Sequence, residues 1–117
     1  MSNHFDDTTH GALVSSVGEQ VVGMLMGKFL TQMNERLAIL KSALDAPSPD
    51  MTVVKQQAHD MTSSSGSVGL GIMCQTATDC EVACKTDDTE TALEKAHALV
   101  NMGPEVEAAI RQAYPNI

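Results

Sequence analysis

The chain has 117 residues, 43% of them apolar and 19% charged, with 7 Lys+Arg against 15 Asp+Glu and a formal net charge of −8. That is the composition of a globular chain, and one domain is the expectation at this length. An acidic chain without a basic stripe is not built to hold phosphate backbones, so no nucleic-acid partner is expected.

In chain order, Met1 to Asp7 is polar and acidic, without the n-region or h-region of a signal peptide. Residues 1–10 read as an N-terminal tail, and 11–117 as the domain. A short helical turn is expected around Ala12 to Ser16. From Gly18 to Asp45 the apolar residues Met26, Leu30, Met33, Leu37, Leu40 and Leu44 step by four and three, widened by Val22, Leu25 and Phe29. This spacing predicts one long amphipathic helix. Its most apolar stretch, Val21 to Leu30, contains Gly23, Gly27 and Lys28 and falls short of the roughly 20 residues of a membrane span. No membrane association and a cytoplasmic location are therefore expected.

Ala46-Pro47-Ser48-Pro49-Asp50 stops that helix, and Ser48-Pro49 reads as an N-cap followed by Pro at the first helical position. The next helix is expected from Pro49 to Ser64, with Val54, Ala58, Met61 and Ser65 inward, ending or bending at the Ser-rich tract near Gly66. A third is expected from Gly69 to Lys85, with Met73, Thr76, Cys80 and Ala83/Cys84 inward. Asp87 and Glu90 look like a capping pair for a fourth, whose inward side is Leu93, Ala96/His97 and Val100. At Gly103-Pro104 this helix either kinks or gives way to a short last helix carrying Val106, Ala109, Ile110 and Ala113. No strand alternation is present. The fold class is all-α: an antiparallel four-helix bundle with a short N-terminal helix and a C-terminal extension.

Three cysteines (Cys74, Cys80, Cys84) within eleven residues suit reduced thiols better than a disulfide framework. Cys80 and Cys84 share a helix face, yet such residues are more often small buried hydrophobes than zinc ligands. Glu94-x-x-His97 is half of a di-iron motif, and its only counterpart, Gln56-x-x-His59, lacks the carboxylate. No metal and no bound cofactor are expected, and His97 reads as an edge-of-core histidine. The methionines Met26, Met33, Met61 and Met73 fall on inward stripes and read as core.

His59 stands apart. It lies more than a quarter turn from the inward stripe of its helix. Its own face carries Thr52, Lys55, Gln56, Thr62, Ser63 and Gly66, mostly small residues that would let another protein approach. The run Ala58-His59-Asp60-Met61-Thr62-Ser63-Ser64-Ser65-Gly66-Ser67-Val68-Gly69-Leu70 resembles the phosphoacceptor segment of histidine-containing phosphotransfer (HPt) domains. Ala58, His59, Ser64, Ser65, Gly66, Val68, Gly69 and Leu70 fit that pattern, and Met61 stands for its usual Leu. Phe29-Leu30, Arg36-Leu37, Leu40 and Ala43-Leu44 look like the family's preceding helix, so the resemblance runs from about Leu13 to Val100. Two positions depart: Thr62 stands where the family has Lys, and Ser63 where it has Gly.

The resemblance implies a phosphorelay carrier. His59 would accept a phosphoryl group from a receiver-domain aspartate and pass it to another receiver, with Lys55, Gln56, Thr62, Ser63 and Gly66 around the phosphoryl group and docking face. Partners would be response-regulator receiver domains and a hybrid histidine kinase, and Mg²⁺ would come with the receiver. The chain has no Walker-type loop or Gly-rich ATP lid, so it is expected to be a stoichiometric carrier, a monomer, and no kinase. The alternative is a helical interaction module that binds a receiver or kinase without transfer. Lys55, one turn before His59, is expected to replace part of the charge missing at Thr62.

Overall fold

The computed structural model describes residues 2–117. Its five helices are α1 (Asp7–Val17), α2 (Glu19–Asp45), α3 (Met51–Ser67), α4 (Gly71–Lys85) and α5 (Thr89–Ala113), and no strand is present among the described residues. α2 packs on α3 and α5, α3 on α4, and α4 on α5, which closes a ring of four helices. Three-residue connections at Val68–Leu70 and Thr86–Asp88 leave no room for a crossover, so neighbours run antiparallel. The body is 44 Å long, about the length that α2 reaches at 1.5 Å per residue.

The α2 stripe packs as its spacing requires. Val22, Met26, Phe29, Leu30, Met33, Leu37, Leu40 and Leu44 are all buried, and Leu25 alone of the expected set stays exposed. On α3 the inward row is the expected Val54, Ala58, Met61 and Ser65, each fully buried. α4 buries the expected Met73, Cys80 and Ala83, with Ala77 in place of Thr76, while α5 keeps Ala96 inward and buries Ala92, Leu99 and Gly103 in place of Leu93 and Val100. Thr76, Leu93 and Val100 are half-buried, and His97 is exposed rather than at the edge of the core. Alanines take the positions where the buried rows depart from expectation, Ala77 on α4 and Ala92 on α5.

Helix limits also differ. α3 starts at Met51, capped by the Asp50 carboxylate, which accepts from the Val53 N–H; Ser48 is not the cap. The Ser tract does not end α3. Ser65 and Ser67 donate to the Met61 and Ser63 carbonyls, and burial of Ser65 against the core outweighs the poor helix propensity of the tract. The α5 cap is Asp88, accepting from the Thr91 N–H, while Asp87 sits in the left-handed region at φ 58°. α5 then runs unbroken through Pro104. That residue cannot donate to the Val100 carbonyl, yet Gly103 lies tight against Leu37 and Val106, Ala109 and Ile110 are buried beyond it. The C-terminal extension is thus only Tyr114 to Ile117.

Of the expected tail of residues 1–10, Met1 lies outside the described residues and the rest is structured. Asp6 caps α1 by accepting from Thr8 and Thr9, so the helix starts at Asp7 and not near Ala12. Phe5 and His10 are buried, and His10 Nε2 shares a 2.6 Å hydrogen bond with the Tyr114 hydroxyl. The Asp6 N–H donates to the Gly69 carbonyl at 2.7 Å. Gly69 has φ +78°, and a Cβ there would stand 2.8 Å from the His10 backbone nitrogen. Only glycine meets both demands. Asp6 and His10 therefore lie on the turn that joins α3 to α4.

Candidate functional site

Ala58 is buried in the core, so the next residue on α3 points outward along the side that faces α4. His59 occupies that place with its side chain 58% exposed. Its Nδ1 lies 2.7 Å from Glu81 Oε2 on α4. The same oxygen receives Lys85 Nζ at 3.2 Å. Partial burial acts to raise the Glu81 carboxyl, but hydrogen bonds from His59 and Lys85, with the Lys85 charge, hold it below the usual range. An ionised carboxylate only accepts, so in the neutral imidazole the proton sits on Nδ1 and Nε2 keeps its lone pair. Nε2 has no hydrogen-bond partner among the described residues, on a side chain that is mostly exposed.

The other expected site residues divide into three groups. Gln56 donates to Asp60 Oδ1 at 3.0 Å, and Asp60 Oδ2 meets Arg36 Nη1 of α2 at 2.7 Å. That chain fixes the rotation of α3 against α2, and it holds the Gln56 amide on the side away from α4. Thr62 is half-buried, and its hydroxyl donates to the Ala58 carbonyl at 3.0 Å, so its proton is already spent. Gly66 lies in the seam between α3 and α4, where a Cβ would come within 3.2 Å of Cys74 Sγ. Its smallness serves helix approach more than an open docking face. Lys55 and Ser63 are exposed beside His59, and Lys55 makes no ion pair among the described residues.

Glu81 and Lys85 were not visible from the sequence around His59. They lie more than twenty residues downstream on another helix, and the one local signal was an ordinary i,i+4 Glu–Lys spacing.

The cysteines are poor ligands in this setting. Burial, reinforced by Cys84, pushes the Cys80 thiol up to about 12, and its S–H donates to the Ala92 carbonyl at 3.4 Å. Burial also raises Cys84. A protonated thiol neither binds metal nor attacks. Among the described residues no group of three or more His, Cys, Asp or Glu is placed to hold a metal ion. Two clefts, one between α2 and α5 around Gly103 and one under Tyr114 to Ile117, lie elsewhere and are not lined by His59. His59 instead stands exposed on a helix face outside these clefts, where another protein can reach it more readily than a small molecule can be enclosed.

An up-and-down helical ring that presents one imidazole on such a face defines a class of carrier or docking module. The Hpt domain family model matches residues 24–113, from the second turn of α2 to the end of α5. The chain belongs to the Hpt domain family. No curated protein and no solved structure matches it. Members of this family are phosphocarrier modules of two-component phosphorelays, working by histidine phosphotransfer with receiver domains, and they are not kinases. No helix among the described residues is long and apolar enough to cross a membrane.

Proposed function

We propose that His59 is the phosphoacceptor and that the chain carries phosphoryl groups between receiver domains, with a hybrid histidine kinase upstream. The observation that carries this reading is the orientation of His59: Nδ1 held by Glu81, Nε2 without a partner among the described residues on a mostly exposed side chain. In the forward step the Nε2 lone pair forms a P–N bond as the bond between phosphorus and the aspartyl oxygen breaks, and the aspartate leaves as carboxylate. The ring then carries a positive charge, with its Nδ1 proton still shared with Glu81, and returns to neutral imidazole when the phosphoryl group moves on. Such a transfer needs in-line placement and charge stabilisation more than covalent help. The receiver supplies its own acidic pocket and Mg²⁺, so this chain binds no cofactor of its own. We place the exchange in the cytoplasm, where the three free cysteines stay reduced.

The test is incubation with a phosphorylated receiver domain in Mg²⁺. Acid-labile, base-stable phosphate should appear on the chain and be absent from His59→Gln. Thr62 in place of the family's Lys favours one other reading, an interaction module without transfer. Stable receiver binding with no phosphate on the chain would establish that reading instead.

A further inference from the structure

The family's cation three residues after the histidine is absent here, because Thr62 stands there with its hydroxyl turned to the Ala58 carbonyl. The need for a cation is not absent. A phosphoryl group on Nε2 would place a dianion on the ring that Glu81 holds, on a chain of net charge −8. Arg36 is engaged by Asp60 on the α2 side. Two lysines remain in reach. Lys55 starts a full turn back on α3, with no acidic partner to order it. Lys85 is already held at the site, for its ammonium and the His59 ring sit on the same oxygen of Glu81, at 3.2 and 2.7 Å. Its side chain is 57% exposed at the end of α4, free to turn without disturbing the core.

We propose that Lys85 is the phosphoryl-binding cation of this domain, supplied from α4 in place of the one missing from α3. In the resting state Glu81 divides itself between the ring proton and the Lys85 ammonium. Once phosphate is on Nε2, Lys85 swings from Glu81 to bridge carboxylate and phosphoryl oxygens, screening each from the other. Glu81 is thereby both the positioning residue for the ring and the holder of the cation. This inference rests on His59 as the phosphoacceptor.

The experiment follows the phosphohistidine made from a phosphorylated receiver, by its decay after the receiver is removed. Lys85→Gln should shorten the lifetime or slow the loading by roughly three- to fivefold, the scale of one exposed charge. Lys85→Arg should restore most of it, and Lys55→Ala should change it less than Lys85→Gln does. Lys41→Ala, whose ammonium pairs with Asp45, controls for net charge alone. In ³¹P spectra, Lys85→Gln should shift the phosphoryl resonance, which a merely structural role would not do. Wild-type chain that loads normally while Lys85→Gln matches it in rate, lifetime and resonance overturns this inference and leaves His59 standing. A larger effect from Lys55→Ala than from Lys85→Gln overturns it too. Wild-type chain that never loads on His59 overturns the carrier reading itself.

Discussion

Two histidines of this molecule make hydrogen bonds of nearly the same length and have opposite surroundings. His10 is 5% exposed, with Nε2 on the Tyr114 hydroxyl and its ring centroid 4.8 Å from that of Phe5. His59 stands with most of its side chain in water and Nδ1 on a carboxylate. One imidazole joins the two ends of the chain; the other offers a nitrogen to a visitor. A short bond to a histidine therefore says little about its role. What decides is which nitrogen is left over, and whether anything outside can reach it.

The sharpest way to break the contrast is to exchange the consequences. His59→Gln should lose all phosphate acceptance, while its melting temperature stays near wild type, because exposed helical substitutions usually remain within about 0.5 kcal/mol. His10→Ala should do the reverse. Unpairing Tyr114 and emptying the space beside Phe5 should cost about 1–3 kcal/mol. Loading should survive at temperatures where the chain stays folded. Calorimetry beside a loading assay reads both, and a large loss of stability in His59→Gln would refute the exposed placement.

Next come two arginines on either side of one helical step. Ala58→Arg puts an unpaired charge into the core and should prevent folding or lower the melting temperature severely. Ser63→Arg raises a wall beside His59 and should block transfer from a receiver while circular dichroism stays unchanged. Equal behaviour of the two variants would mean that the faces of α3 are wrongly assigned.

The smallest expected effect is on acid stability. Glu81 is held below the usual carboxylate range in the folded state, so it favours folding above that range. The contribution disappears as pH falls through that lowered value, on the acid side of the ordinary carboxylate range. Thermal melts across acidic pH should show a shallower fall for Glu81→Gln than for wild type. Parallel curves would deny Glu81 its coupling to His59 and Lys85.

The α2 and α3 stripes could be read directly, because Leu, Met and Val at spacings of three and four admit one helical phase. The α4 row was legible except at one position, and the first half of the α5 row reads one residue out of phase at Leu93 and Val100. Alanine suits either side of a helix, so spacing alone did not choose Ala77 over Thr76 or Ala92 over Leu93; burial in the folded chain does. Asp6 looked like part of an acidic tail until its carboxylate met the Thr8 and Thr9 N–H groups. At the candidate site, His59 and its outward direction followed from periodicity and the surrounding motif. Glu81 did not, since a contact between α3 and α4 leaves no trace in local spacing.

The strap formed by Phe5, Asp6 and His10 has a practical consequence for anyone who would move this module into another protein. A segment cut at the family match, residues 24–113, would leave behind all of α1, the Asp6 tie to Gly69, and Tyr114. The turn that sets α3 beside α4 would lose its cover, and with it the register that brings Glu81 to His59. The portable unit is longer than the recognisable one, and a graft should begin before Phe5 and continue past Tyr114.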